Sequence, residues 1–103
     1  MRTIRISRVA GDTGKPILLT YRDHNLTGWD LKMQFRYRGT RRLVVIDATE
    51  IDLSAGEVKF DFSPGDLVEG VADLEFQLTD DSGMMFTIPS CAAIRLDVRK
   101  AVE

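Results

Sequence analysis

The sequence predicts an all-β domain, either a β-sandwich or a barrel, made of about seven or eight short strands. One observation is that large apolar and polar residues alternate from Trp29 to Tyr37. Side chains of a strand alternate between two faces, whereas a helix would scatter these apolar residues around its circumference. A second observation is that turn signals recur at spacings of roughly ten residues, which is typical of such folds. An apolar face on a strand also requires a second layer to cover it.

The first half of the chain contains four predicted strands. Residues 3–9 alternate isoleucine with arginine and serine, and flanking arginines favour an edge strand because they discourage pairing with another chain. Residues 17–22 follow a turn with glycine and proline, and residues 29–37 follow a polar connection. The apolar run 43–46 either has both faces covered or lies at a crossover. The inward side chains predicted for the second and third strands are Ile17, Leu19, Tyr21, Trp29, Leu31, Met33, Phe35 and Tyr37.

The second half of the chain predicts four more strands, two of them joined by the strongest turn signal. The residues from Asp80 to Gly83 tolerate turn dihedrals, so they predict a hairpin between strands 71–79 and 84–88. Pro89 ends the return strand because it cannot donate to a ladder. The inward side chains predicted for strands 57–62, 71–79 and 94–98 are Val58, Phe60, Phe62, Ala72, Leu74, Phe76, Leu78, Ile94, Leu96 and Val98.

Two connections have no clear strand pattern. Residues 47–54 are mixed in character and predict an irregular crossing. Residues 63–70 begin with a Ser-Pro-Gly turn, and this sequence is compatible with one helical turn.

Composition predicts one soluble domain over residues 1–103. Apolar residues make up 44% of the chain and its formal net charge is -2, which gives no general attraction to nucleic acid or anionic membranes. No apolar run reaches the length of a signal peptide or the ~20 residues of a membrane-spanning helix. Cys91 is the single cysteine, so an internal disulfide is excluded, which suits folding in the cytosol.

The sequence offers no pattern typical of an active site or a metal centre. His24 is the only histidine and lies in a polar turn, where an exposed turn histidine is expected. Cys91 is expected to be a small buried thiol, because no positive residue adjoins it. Asp80 and Asp81 lack the dispersed oxygens of a calcium loop, and zinc spacing is absent. We therefore expect a protein that is not an enzyme and that holds no cofactor or metal.

A basic cluster is the feature that most invites a binding function. Arg36, Arg38, Arg41 and Arg42 crowd one predicted hairpin together with Tyr37. Nucleic-acid-binding surfaces combine such arginines with stacking aromatics. Tyr37, however, shares the inward parity of the core residues, so a solubilising or partner-facing hairpin is the preferred interpretation. A nucleic-acid-binding β domain that uses this hairpin remains an alternative.

From the Leu-Thr-Gly entry into the strand at 29–37, the sequence resembles a family of phage proteins. It is similar to the immunoglobulin-like N-terminal domain of phage baseplate upper proteins, which recurs in tail, baseplate and fibre components. The similarity covers nearly the whole chain, and its specificity lies in the order and spacing of common turn signals. The matching segments are Gly11-Asp12-Thr13, Asn25-Leu26-Thr27-Gly28, Ala55-Gly56-Glu57-Val58, Gly70 through Phe76, Asp81-Ser82-Gly83 and Thr87-Ile88-Pro89.

The resemblance implies an immunoglobulin-like β-sandwich of mainly antiparallel strands with an architectural role. Its partners would be other tail or baseplate proteins or further copies of itself, in a virion assembled in the host cytoplasm. Asn25 stands where the family usually has Asp, and Ala72 stands where a tyrosine is common, so a tyrosine corner is in doubt. Family domains usually precede a fibre or receptor-binding region, so the chain is either a small stand-alone tail protein or a fragment of a longer one.

The immunoglobulin-like order suggests where the charged surface would lie. If strands 29–37, 84–88 and 94–99 share one sheet and strands 57–62 and 71–79 share the other, one outer face is basic and the other acidic. Opposite faces of opposite sign could guide neighbouring subunits into a ring, or could simply keep a monomer soluble. A carbohydrate-binding or receptor-binding adhesin is a third alternative, although parity leaves few aromatics exposed. The candidate interaction residues are Lys32, Arg36, Arg38, Arg41, Arg42, Asp61, Asp73 and Glu75.

Overall fold

The computed structural model describes residues 2–89 and 92–101, and in them the regular structure is almost entirely β-strand, with no α-helix. The all-β expectation is therefore confirmed. A single short 3-10 turn, Leu53–Ala55, interrupts the strands. The strands are β1 Arg2–Val9, β2 Ile17–Thr20, β3 Asp30–Tyr37, β4 Leu43–Asp47, β5 Thr49–Asp52, β6 Glu57–Phe60, β7 Gly70–Thr79, β8 Met85–Ile88 and β9 Ala92–Arg99.

The strands form two sheets of unequal size. The larger sheet has the order β1-β9-β7-β3-β4, with β8 also paired to β7, and the smaller sheet has the order β2-β6-β5. β1 runs parallel to β9, and the other pairings are antiparallel. β9 pairs with residues 70–74 of β7, and β8 pairs with residues 76–79 along the same side. β8 and β9 therefore lie end to end, with β1 beside β9 as the expected edge strand.

The sheet assignment of the strand at 71–79 was wrong. We expected it beside the strand at 57–62, but β7 lies in the larger sheet between β3 and β9. Its register places Asp73 opposite both Arg36 of β3 and Arg95 of β9. Alternation identifies which side chains of a strand point inward, but both sheets bury their inner faces in the same core. The pattern therefore carries no information about which sheet a strand joins.

The core lies between the two sheets and is made by the inward side chains that alternation predicts. The rings of Phe60 and Phe76 lie 5.3 Å apart, and those of Phe35 and Phe62 lie 6.0 Å apart, so each pair joins one sheet to the other. Burial of such large apolar groups supplies most of the stabilising free energy of a domain. Leu19, Tyr21 and Trp29 are exceptions to the prediction, because they pack against the core but are only partly buried. The buried core consists of Ile17, Leu26, Leu31, Met33, Phe35, Tyr37, Val44, Val58, Phe60, Phe62, Leu67, Ala72, Leu74, Phe76, Leu78, Ile94, Leu96 and Val98.

Three segments differ from their predictions. β4 is an edge strand with one face exposed, since Leu43 and Val45 retain 43% and 50% of their accessible surface. Residues 47–54 include β5, whose four residues are all exposed and so give no apolar pattern to recognise. Residues 63–69 contain no helix, and instead the Asp66 amide donates to the Ser63 carbonyl to form a turn.

Gly56 closes the turn before β6 at a point where a side chain cannot fit. Its φ is +78°, in the left-handed region that favours glycine. Its amide donates to the Leu53 carbonyl, and its carbonyl accepts from the Tyr21 amide. A Cβ atom at this position would lie 2.1 Å from the Tyr21 carbonyl oxygen. The close approach of these two backbone segments therefore requires glycine.

We predict that Gly56→Ala destabilises the protein much more than Gly83→Ala. Both positions have positive φ, but a Cβ at Gly83 meets nothing within 4 Å. Gly83→Ala is expected to cost about 1 kcal/mol from its backbone conformation alone. Gly56→Ala adds the clash and is expected to cost more than about 3 kcal/mol. Urea unfolding measures both free energies, and equal losses would contradict the role assigned to the close approach.

Candidate functional site

The predicted interaction residues do not form one surface. Lys32, Arg36, Asp73 and Glu75 lie on the outer face of the larger sheet, and Arg38 follows β3 and joins them. Arg41 and Arg42 lie in the turn between β3 and β4. Asp61 follows β6 of the smaller sheet, away from the rest of the set, and its Oδ1 lies 3.8 Å from Lys59 Nζ.

The expected separation into a basic face and an acidic face is wrong, because both signs of charge occupy one face. Since β7 lies between β3 and β9, its carboxylates are interleaved with the arginines of its neighbours. Arg95 Nε lies 2.6 Å from Asp97 Oδ1, and Lys32 Nζ lies 4.0 Å from a carboxylate oxygen of Asp30. Glu75 accepts a hydrogen bond from the neutral amide of Gln34. Charge of this kind favours solubility and gives little long-range guidance to a partner.

Arg38 and Asp73 form the best-defined ion pair of this face. Arg38 Nη2 lies 2.8 Å from Asp73 Oδ1, and Arg38 Nε lies 3.2 Å from both carboxylate oxygens. These hydrogen bonds favour the ionised carboxylate and lower the pKa of Asp73 below its ordinary value. Because both side chains are exposed, the pair contributes little to stability, but it does remove Arg38 from the free positive charges of the hairpin.

We predict that Arg38→Ala raises the pKa of Asp73 towards the ordinary value of an aspartate. The physical reason is the loss of the hydrogen bonds that hold the carboxylate ionised. NMR titration of the Asp73 side-chain carbon measures the change. Arg41→Ala is the matched control and is expected to leave the titration of Asp73 unchanged. The same pKa in all three proteins would show that the ion pair does not persist in solution.

The hairpin between β3 and β4 is attached to the loop at residues 63–69. The Tyr37 hydroxyl donates to the Asp66 carbonyl at 2.6 Å and accepts from the Val68 amide at 3.0 Å. The Arg42 guanidinium lies 5.9 Å from the centre of the Tyr37 ring, and its Nη2 donates to the Gly65 carbonyl. Tyr37 is only 3% exposed, so its ring is not available to stack on a base. Burial also raises the pKa of the Tyr37 hydroxyl above its ordinary value.

We predict that Tyr37→Phe destabilises the protein by about 1–3 kcal/mol, because the Val68 amide and the Asp66 carbonyl both lose their partner. The variant is also expected to respond less to alkaline pH. Because the pKa of Tyr37 is raised in the folded protein, its hydroxyl ionises at a lower pH in the unfolded chain than in the folded one. Ionisation therefore favours unfolding, and the wild type loses stability as the pH rises above about 10. Urea unfolding at neutral pH and near pH 11 measures both effects. Tyr21→Phe, at a half-buried tyrosine, is the control, and an equal loss in both variants would argue against a specific role for the Tyr37 hydroxyl.

The other candidate residues are used in local structure. His24 is exposed as predicted, its Nδ1 lies 2.8 Å from the Arg22 carbonyl oxygen, and its ring stacks on Tyr21 at 4.1 Å. Asp80 Oδ1 accepts from the Ser82 hydroxyl and from two backbone amides of the hairpin turn, and these bonds lower the pKa of Asp80. Cys91 lies outside the described residues. Within residues 2–89 and 92–101, no three histidine, cysteine or acidic side chains are grouped as a metal site would require.

An apolar surface on β8 and the residue before it was not predicted from the sequence. Met84, Met85 and Phe86 remain 60%, 62% and 39% exposed. The ring of Phe86 stacks on Trp29 at 5.9 Å, and Trp29 meets the edge of Tyr21 at 6.4 Å. Three consecutive apolar residues in a strand cannot all face the core, and this signal could have identified the surface.

β8 borders a groove of about 640 Å³ that separates it from β2. We call this feature the β8 groove. Every residue that lines it is uncharged, so it presents an apolar wall with backbone groups at its edge. The residues that line it include Leu19, Tyr21, Met85, Phe86, Ile88 and Pro89.

Comparison of this chain with protein-family models and with curated protein sequences finds no match. Among the helices of the described residues, none has the length and apolar character needed to cross a membrane.

Proposed function

We propose that this chain is a non-enzymatic assembly module of a phage tail or baseplate. It would act as an immunoglobulin-like β-sandwich that binds other tail proteins in a multimeric tail-tip structure. The observation that carries the proposal is the exposed apolar surface at the open edge of the larger sheet, where Met84, Met85 and Phe86 lie. The resemblance of the sequence to domains of phage baseplate upper proteins supplies the biological setting.

The strand order supports the immunoglobulin-like part of the proposal. An immunoglobulin domain places strands C, F and G in one sheet and strands B, E and D in the other. The larger sheet here contains β3, β7 and β9 as neighbours, and the smaller one contains β2, β6 and β5. In chain order these are strands B, C, D, E, F and G, with β4 as the added strand beside C. The strand at 71–79, which we assigned to the wrong sheet from sequence, corresponds to strand F. Its neighbours β3 and β9 correspond to strands C and G.

The exposed surface on β8 supports a function in protein–protein contact. Contiguous exposed apolar side chains at the edge of a sheet mark an interaction site more often than a solvent-facing surface. Met85 and Phe86 also supply the adaptable and aromatic groups that are enriched in interfaces. The outer face of the larger sheet is mixed in character, with ion pairs such as Arg38–Asp73 beside the exposed Leu43 and Val45 of β4.

The alternatives find less support in the same surfaces. For nucleic-acid binding, the hairpin would have to act without the buried Tyr37 ring and with Arg38 and Arg42 already bonded to protein acceptors. For a carbohydrate-binding adhesin, an open aromatic face is needed for stacking. The faces of Trp29 and Tyr21 are instead covered by Phe86 and His24 respectively.

We predict that the chain is present in purified virions of the phage that encodes it and is located at the tail tip. Mass spectrometry of purified particles and immunogold labelling with antibodies against this chain measure the two properties. Met85→Glu is expected to abolish incorporation, because it places a charge in the apolar contact. Leu18→Glu is the matched control, since Leu18 is similarly exposed, at 66% against 62% for Met85, but lies on β2 of the smaller sheet and outside the apolar surface formed by Met84, Met85 and Phe86.

Complexes formed in vitro with other tail proteins are expected to survive an increase in salt from about 0.1 M to about 1 M, because apolar contacts are not screened by ions. Sedimentation measures this property. Virions that lack the chain, or that incorporate Met85→Glu as well as wild type, would contradict the proposed function.

A further inference from the structure

The larger sheet has one edge that is only partly covered. β1 pairs with β9 from Arg2 opposite Ala92 to Val9 opposite Arg99. β8 continues the line of β9 along β7, but among the described residues no strand pairs with its other side. Among residues 2–89 and 92–101, the position beside β8 therefore holds no strand, and it lies directly in line with β1.

The backbone of β8 presents hydrogen-bonding groups to this open position. The Asp80 amide donates to the Met84 carbonyl, which marks these two residues as a hydrogen-bonded pair. Bonded and non-bonded pairs alternate along an antiparallel ladder, so Phe86 and Ile88 bond to β7. The amides and carbonyls of Met85 and Thr87 then point away from β7. They are placed to bond a further strand.

The side chains beneath this edge form one wall of the β8 groove. Phe86 lies opposite Leu78, and Ile88 lies opposite Phe76, so both point towards the smaller sheet. The other wall is β2, an edge strand of the smaller sheet, which contributes Leu19 and Tyr21. An immunoglobulin domain places its first strand beside B in this sheet, whereas here the first strand pairs with β9. The space between β8 and β2 is left open as a result.

From this arrangement we infer that the β8 groove binds an extended segment of a partner protein. The segment adds as a strand to the outer edge of β8, and its alternate apolar side chains enter the groove between β8 and β2. Backbone hydrogen bonds supply affinity and the alternating pockets supply selectivity, as in other cases of strand addition. The inference rests on the proposed assembly function and specifies the kind of partner that the surface takes.

A folded second copy of this chain fits the groove less well than a free segment. The edge strands β1 and β4 already turn their inward side chains, such as Ile6 and Val44, into their own core. β5 offers one large apolar side chain, Ile51, between two carboxylates. Pairing of β8 with β8 would involve four residues over roughly 13 Å, which buries far less than the ~1,200 Å² of a stable interface. A segment with no fold of its own can bond the edge and fill the groove together.

The lack of protection on β8 agrees with a bound strand. Proteins usually blunt an open edge with charged side chains. β1 carries Arg5 and Arg8, and β4 ends at Asp47, but the residues of β8 are Met, Phe, Thr and Ile. A strand edge of this composition is suited to pairing with a strand of another chain.

The test uses a synthetic peptide in which isoleucine and threonine alternate between terminal lysines. Trp29 is the only tryptophan and stacks on Phe86, so its fluorescence reports occupation of the groove. We expect saturable binding that changes Trp29 emission, and no binding by a peptide of the same composition without alternation. Thr87→Pro removes the outward amide and is expected to weaken binding by about tenfold or more. Thr87→Ala keeps that amide and is expected to bind within about twofold of wild type.

Three further measurements separate the possible outcomes: binding of N-methylated peptides, sedimentation, and incorporation into virions. N-methylation of alternate peptide amides tests the backbone bonds without altering the protein, and it is expected to weaken binding as Thr87→Pro does. Absence of saturable binding, or equal binding by wild type and Thr87→Pro, would overturn the inference. A dimer in sedimentation that Thr87→Pro dissociates would also overturn it, by assigning the groove to a second copy. If virions incorporate Thr87→Pro normally, the assembly function stands and strand addition is overturned. If the chain binds the peptide but is absent from virions, strand addition stands and the assembly function is overturned.

Discussion

The packing of aromatic side chains between the two sheets is the interaction on which the rest of the structure depends. Phe60 against Phe76 and Phe35 against Phe62 hold the sheets face to face. The larger sheet has six strands and the smaller one has three, so the inner face of the larger sheet extends beyond its cover. β8 lies in this uncovered part, where Phe86 stacks on Trp29 and remains 39% exposed. The exposed surface is thus a consequence of unequal sheets rather than an isolated feature of one strand.

Local patterns were sufficient to predict most strands and nearly all of the core. The alternation in β3 and β7 assigns each side chain to a face, because the period of a strand is set by its own backbone. Which strands pair is a long-range property, and the residues that reveal it, such as Arg36 opposite Asp73, are far apart in sequence. β5 could not be predicted at all, since a fully exposed strand has no apolar alternation.

The candidate site was predicted only in part, because the contacts of its side chains are also long-range. The cluster of arginines was located correctly on one hairpin, but the groups that bind them come from distant segments. Arg38 bonds to Asp73 of β7, and Arg42 bonds to the carbonyl of Gly65. The β8 groove depends on the proximity of β2 and β8, which belong to different sheets. No spacing in the sequence could place these two strands beside each other.

The exposed edge also bears on how this protein exists when it functions. An open strand of Met, Phe, Thr and Ile favours aggregation, because any extended chain can pair with it. The formal net charge of -2 provides little repulsion between copies to prevent this. Charged substitutions on β8 would be a simple remedy for a protein that acts alone, since the strand has no charged residue. An edge of this kind is compatible with lasting solubility when another chain covers it, which is the state that we propose for the β8 groove.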